Sequence, residues 1–269
     1  MSKIIMLGSD PEMFVIGADG KIGSVAGLLG CDKWNQKDLG NGIFLQEDNV
    51  LIEYATAPSD SFDHFNSIIK LGIDSCVDAL DPLNMGIAAG TSSHVFTLDE
   101  LNSFHKSVFE FGCEPDYNAL TGRVNPKPKA ADAGLRTAGG HVHLGYAGLL
   151  PEEMGLEQSQ AIMGVMCDYF LGLPSLLMDT DDRRRELYGK AGSIRKKDYG
   201  IEYRSLSNFW IFEEAKRRMV WDQVHAALKT LDGSYERLAA LIDPNEIHRI
   251  INENDKRAAE LAIAKLQVI

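Results

Sequence analysis

The chain has 269 residues, 45% apolar and 25% charged, which is enough to bury a sizeable core and is the composition of an ordinary globular protein. A formal net charge of −12 disfavours general nucleic-acid binding, yet the basic residues gather in one island at 183–197, which suits a small polyanion such as a nucleoside triphosphate. Cys31, Cys76, Cys113 and Cys167 lie far apart with no CxxC pair, so a zinc ribbon or thioredoxin-like motif is excluded and reduced thiols are expected.

The apolar run from Ile4 to Gly8 is too short for a signal peptide, and no segment is expected to supply the roughly 20 apolar residues that span a bilayer. A cytoplasmic location without membrane contact follows. Up to about residue 150 the runs KIIML, EMFVI, KIGSV, NVLIEYA, MGIAAGT and HVFTL are bounded by Asp, Gly, Pro and Asn, the punctuation of strands joined by turns. One helix interrupts them at Ser61 to Leu80, with Ser59 or Asp60 as its cap and Phe62, Phe65, Ile68, Ile69 and Ile73 at helical spacing. Pro151 opens a second helix that runs to about Leu177. YGIEYRSL at 199–206 is a further β run, and from Ile211 onward two or three closing helices are separated near Gly233 and Pro244. This order predicts an α+β fold and a single catalytic domain over 1–269, with a sheet-based core at 1–210 and a helical segment at 211–269 packed on it.

In GGHVHLG, His141 and His143 are two apart on a strand and face one side. Gly139, Gly140 and Gly145 weaken a strand unless something must approach its backbone; the alternative is two ordinary surface histidines. Glu202 and Arg204 in EYR share a face, and Glu53 is a carboxylate inside the apolar run LIEYA, where a charge is costly unless paired or bound to metal. Pairing with an arginine is the plainer reading of Glu202, and exposure to solvent that of Glu53. Glu12 follows Pro11 into a strand, with Asp10 as a nearby oxygen donor. Three strand carboxylates and a histidine make an oxygen-rich site suited to Mg²⁺ or Mn²⁺. The basic island holds Arg183, Arg184, Arg185, Lys190, Arg195, Lys196 and Lys197 around a glycine-bearing turn at 189–192, and guanidinium forks bind phosphate or carboxylate oxygens. Which of the three consecutive arginines points inward is open. Arg136, five residues before His141, is a further candidate. GxxxxGK[ST], GxGxxG, GxSxG and HExxH are all absent, so phosphate handling must rest on metals and arginines.

In this order, GSDPEMF, LIEYATAP, FGCEPDYNA, LRTAGGHVHLG and RRRELYGKAGSIRKKDYGIEYRSLSNFW closely resemble the phage-type carboxylate-amine ligases, relatives of glutamine synthetase and glutamate-cysteine ligase. The resemblance covers about residues 7–212. It implies a curved antiparallel sheet forming a half-barrel flanked by helices, with ATP and Mg²⁺ or Mn²⁺ between sheet and loops. It also implies Glu12, Glu53, His141 and Glu202 as metal ligands. His143 and Arg195 are then nucleotide contacts, to which the basic island adds Arg184, Arg185 and Lys190. Arg195, Arg204, Arg136 and Glu53 are the implied catalytic residues, with Glu53 a guess at the base. Gly200 stands where glutamine synthetases often carry an arginine, so part of the phosphate clamp must come from elsewhere.

The implied reaction is amide or peptide bond formation through an acyl phosphate, with release of ADP and phosphate. Its substrates are a small-molecule or peptide carboxylate and an amine, and a homo-oligomer is possible. The rivals are a metal-dependent hydrolase, which leaves the arginine-rich loop without purpose, and a non-catalytic nucleotide- or ligand-binding protein of the same fold.

Overall fold

The computed structural model describes residues 5–109, 116–125 and 133–266, so Cys113 and the first half of FGCEPDYNA lie outside the described residues. In chain order the strands are β1 (Met6–Met13), β2 (Val15–Ile16), β3 (Ile22–Gly23), β4 (Lys37–Gly40), β5 (Ile43–Asp48), β6 (Leu51–Thr56), β7 (Gly86–Ile87), β8 (Ser93–Val95), β9 (Tyr117–Asn118), β10 (Leu135–Thr137), β11 (Gly140–Gly145), β12 (Ser193–Lys197) and β13 (Gly200–Tyr203). The helices are α1 (Phe62–Leu80), α2 (Leu98–Ser103), α3 (Leu156–Cys167), α4 (Leu173–Met178), α5 (Arg184–Leu187), α6 (Glu214–Lys229), α7 (Tyr235–Leu241), α8 (Pro244–Asn252) and α9 (Lys256–Leu266). Eight strands form one antiparallel sheet in the order β4-β5-β6-β1-β11-β13-β12-β9. The fold is thus α+β, a large antiparallel sheet flanked by helices.

Alternation along the central strands gives the sheet two different faces. Leu7 and Met13, Ile52 and Tyr54, Val142 and Leu144, and Ile201 and Tyr203 are buried in one continuous apolar core beneath the helices. The intervening positions, Asp10, Glu12, Glu53, His141, His143 and Glu202, fall on the opposite face. Pairing aligns them: Asp10 stands across from His141, Glu12 from Glu53, and Glu53 from Gln46. Glu202 is flanked by His143 on one side and Arg195 on the other.

The helices cover the apolar face. Tyr54 donates its hydroxyl to the Ile69 carbonyl at 2.8 Å, and Gly72 of α1 carries no side chain because a Cβ there would sit 2.0 Å from the Tyr54 ring. Contrary to the expectation that no segment is apolar enough to span a bilayer, Leu156–Met178 is a continuous helix of that length and composition. Most of it is buried in the core. It begins at Leu156 after Gly155 rather than at Pro151, which lies in a preceding turn. Between α3 and α4 the helix widens into a π turn over Asp168–Gly172, closed by the Leu173 N–H on the Asp168 carbonyl. Pro174 supplies the reason: it has no N–H to donate and its ring would collide with a carbonyl one turn back. Asp168 then accepts from the Tyr203 hydroxyl at 2.7 Å and stands 2.9 Å from His248 Nε2, pinning α8 to the back of the sheet.

Three other local expectations change. α1 starts after Ser61, not Ser59 or Asp60, and no side chain caps it. α2 is an additional helix, opened by a capping box in which Thr97 and Glu100 satisfy one another's backbone N–H. The second half of the basic island is no loop, because 193–197 pairs with β13 as a regular strand.

Candidate active site

Two ligand groups share the polar face of the sheet: Asp10, His141 and Glu202, and Glu12, Asp48 and Glu53. In each group one ligand atom per residue lies within 4.8 Å of the others. Asp10 Oδ1 is 3.2 Å from both His141 Nδ1 and His143 Nε2, and His141 Nδ1 is 3.8 Å from Glu202 Oε1. Those three atoms of Asp10, His141 and His143 are buried and have no hydrogen-bond partner among the described residues. Two ligands of one octahedral cation at bond lengths of 2.0–2.1 Å stand roughly 3 Å apart, the spacing seen here. In the second group Glu12 Oε2 accepts from the Gly139 N–H at 2.6 Å, and Glu53 Oε2 accepts from Gln46 Nε2 at 2.6 Å, with Gln36 behind Gln46.

The two groups differ in electrostatics. In the first, burial opposes charge on Asp10, but His143 and His141 hold its carboxyl well below the usual range. Burial and Asp10 oppose charge on Glu202, yet Arg204 and the two histidines bring it down to about 2. Burial, and then Arg204, push His141 down to about 4, whereas Asp10 outweighs burial at His143 and raises it. In the second group protons are favoured. Burial, reinforced by Asp48, pushes the Glu12 carboxyl up to about 7 against the pull of Arg184. Burial followed by Asp48, Asp10 and Glu12 drives Glu53 well upward, and burial also raises Asp48. Two buried carboxylates and a half-buried one that compete for protons are a donor set short of cations, and a divalent ion fits it.

Of the three consecutive arginines, Arg184 points into the site. Its Nη2 stands 3.4 Å from His141 Nε2, its Nη1 reaches the carbonyls of Arg204 and Ser205, and burial lowers it to about 10 despite Glu12. Gly139 is what makes room, since a Cβ there would sit 2.5 Å from His141 Nε2 and 2.8 Å from Arg184 Nη2. Arg195 and Arg204 converge on Glu202, Arg195 at 2.9 Å from each oxygen and Arg204 on Oε1.

The other cations of the first half of the basic island make contacts of their own. Arg185, one residue further around the short helix α5, turns back to Ser175 at 3.2 Å and lies beside Asp179. Lys190 is exposed near Arg185, and Arg183 pairs with Glu186 in solvent. Arg136, expected among the catalytic residues, donates from its guanidinium to the carbonyls of Val108, Ala133 and Leu135 and to Asn49. That arrangement ties β10 to the turn after β5.

Asp48 and Lys197 were not singled out as ligand and site cation. The signal for Asp48 is its spacing of two from Gln46 on β5. For Lys197 it is the same spacing from Arg195 on β12. Tyr199, at the β12–β13 turn, reaches into the site and meets His143 Nδ1 at 2.6 Å through its hydroxyl.

Comparison with known proteins bears on the strands that carry His141, Arg195 and Glu202. Residues 134–241 match the family described as Phage phiEco32-like COOH.NH2 ligase-type 2. His141, His143, Arg184, Arg195, Lys197, Glu202 and Arg204 lie inside the COOH-NH2 ligase match, whereas Asp10, Glu12, Asp48 and Glu53 come from the strands before it. A solved structure described as "Crystal structure of novel glutamine synthase homolog" aligns with 98% of this chain and 67% of its own at 11% identity and a TM-score of 0.39. No curated protein matches the chain.

Proposed function

We propose that this protein is an ATP-dependent carbon-nitrogen ligase that joins a carboxylate to an amine through an acyl phosphate. The observation that carries the reading is the placement of two groups of potential metal ligands beside Arg184, Arg195 and Arg204 on one face of a sheet. Asp10, His141 and Glu202 would hold one divalent ion, and Glu12, Asp48 and Glu53 a second. When bound, such ions supply neutralisation of triphosphate oxygens.

In this reading the substrate carboxylate attacks the γ-phosphorus, forming the acyl phosphate and releasing ADP, and the amine then displaces phosphate. Both steps develop negative charge on phosphoryl or acyl oxygens. Arg195 and Arg204 are held by Glu202 before the reaction starts, so their guanidinium forks stabilise that charge without reorganising. Arg184 is fixed between the two groups by the carbonyls of Arg204 and Ser205 and orients His141. No covalent protein nucleophile is required.

The test is ADP release with Mg²⁺ and pools of carboxylates and amines, followed by mass spectrometry. A product mass equal to the two substrates minus water supports the ligase. AMP in place of ADP rejects the acyl phosphate, and a Glu202→Ala variant that forms ADP at the wild-type rate rejects the site.

A further inference from the structure

Glu202 is fully buried, yet three cations crowd its single negative charge. Arg195 Nη1 lies 2.9 Å from each oxygen, Arg204 Nη1 contacts Oε1, and Lys197 Nζ lies 3.2 Å from Oε2. A carboxylate so surrounded cannot ligate a metal ion unless at least one cation withdraws. The three are not equally held. Arg195 bridges both oxygens from the cross-strand partner position, and Arg204 follows on the same strand face. Lys197 makes one longer contact at the hairpin end, and its side chain is the most exposed of the three, at 27% against 20% and 18%. Across the ladder from it stands Gly200, which has no side chain to confine the ammonium. A lysine is also a compact charge on a flexible stem, without the fixed fork that anchors an arginine.

We propose that Lys197 is an exchangeable counter-ion and anion contact. In the metal-free protein it neutralises Glu202, and when Glu202 binds a divalent cation the ammonium is released to take up a phosphoryl oxygen of the substrate. This rests on Glu202 being a metal ligand, as in the reading above. It makes metal and anion binding mutually reinforcing, with one side chain as the link.

The experiment measures Mn²⁺ binding to the full chain by paramagnetic resonance of the free ion, with and without inorganic phosphate. The wild type is expected to bind Mn²⁺ more tightly when phosphate is present. Lys197→Met removes a competing charge and is expected to bind Mn²⁺ alone about tenfold more tightly, while losing the phosphate effect. Lys197→Arg keeps the charge and is expected to retain that effect. Lys196→Met is the control, because Lys196 faces away and pairs with Glu157 at 2.6 Å; it should behave as the wild type. Lys197→Gln replaces the methionine variant if the latter fails to fold. Mn²⁺ binding by Lys197→Met no tighter than by Lys196→Met, or an undiminished phosphate effect, overturns the proposal alone. No Mn²⁺ binding by the wild type removes the metal-site reading and the proposal with it.

Discussion

Glu12→Gln is expected to make the metal-free protein more stable. The Glu12 carboxyl is raised from 4.5 to about 7 chiefly by burial, so the folded state binds a proton more readily than the unfolded chain. Stability is therefore lost as pH rises between those values, and above about 7 the full penalty applies. At 1.36 kcal/mol per unit the penalty is about 3 kcal/mol, or about 6 °C in melting temperature for a chain of this size. Glutamine keeps a carbonyl oxygen to accept the Gly139 N–H but carries no charge. In differential scanning fluorimetry with a chelator, the variant should melt higher than the wild type at pH 8, and the gap should close toward pH 4.5. Both proteins share the titration of His143, which cancels in the difference. Adding Mn²⁺ should reverse the order, since an ion at about 1,000 times its Kd contributes about 4.1 kcal/mol to a protein that binds it only when folded. A variant no more stable than the wild type at pH 8, or one that Mn²⁺ stabilises equally, refutes the reasoning.

Glu202→Gln should have the opposite sign. It leaves Arg195, Arg204 and Lys197 without their shared carboxylate, and urea denaturation should show a loss of about 3–5 kcal/mol. Arg184→Lys should fold, since it keeps the charge, but should lower ADP release by about 100-fold or more because an ammonium cannot span His141 and the two carbonyls as the fork does.

Strand alternation made the principal candidate ligands readable in the sequence. Glu12, Glu53, His141 and Glu202 each occupy the polar phase of a strand whose other phase is apolar, and the structure sets all four on one face. Asp48 stayed hidden because Glu47-Asp48-Asn49 has the composition of a turn, and only the pairing of β5 with β6 puts Asp48 in step with Gln46. Arg184 was inseparable from its neighbours because consecutive residues on a helix point about 100° apart, and the phase of a four-residue helix leaves no periodic trace. Closeness of Arg136 in sequence to His141 says nothing about direction, and its guanidinium donates to the carbonyls of Val108, Ala133 and Leu135, contacts that no sequence pattern announces.

The cross-strand alignment of Gln46, Glu53, Glu12, Asp10, His141, His143, Glu202 and Arg195 also constrains how the protein can change. One residue inserted within β1, β11 or β13 would turn every ligand beyond it to the wrong face, so these strands tolerate substitution but not a change of length. Loops that carry none of the site residues are under no such restriction. Under the proposed reaction, a lineage can lengthen, trim or replace those loops, and so exchange one pair of substrates for another, while the candidate ion-binding face stays in step.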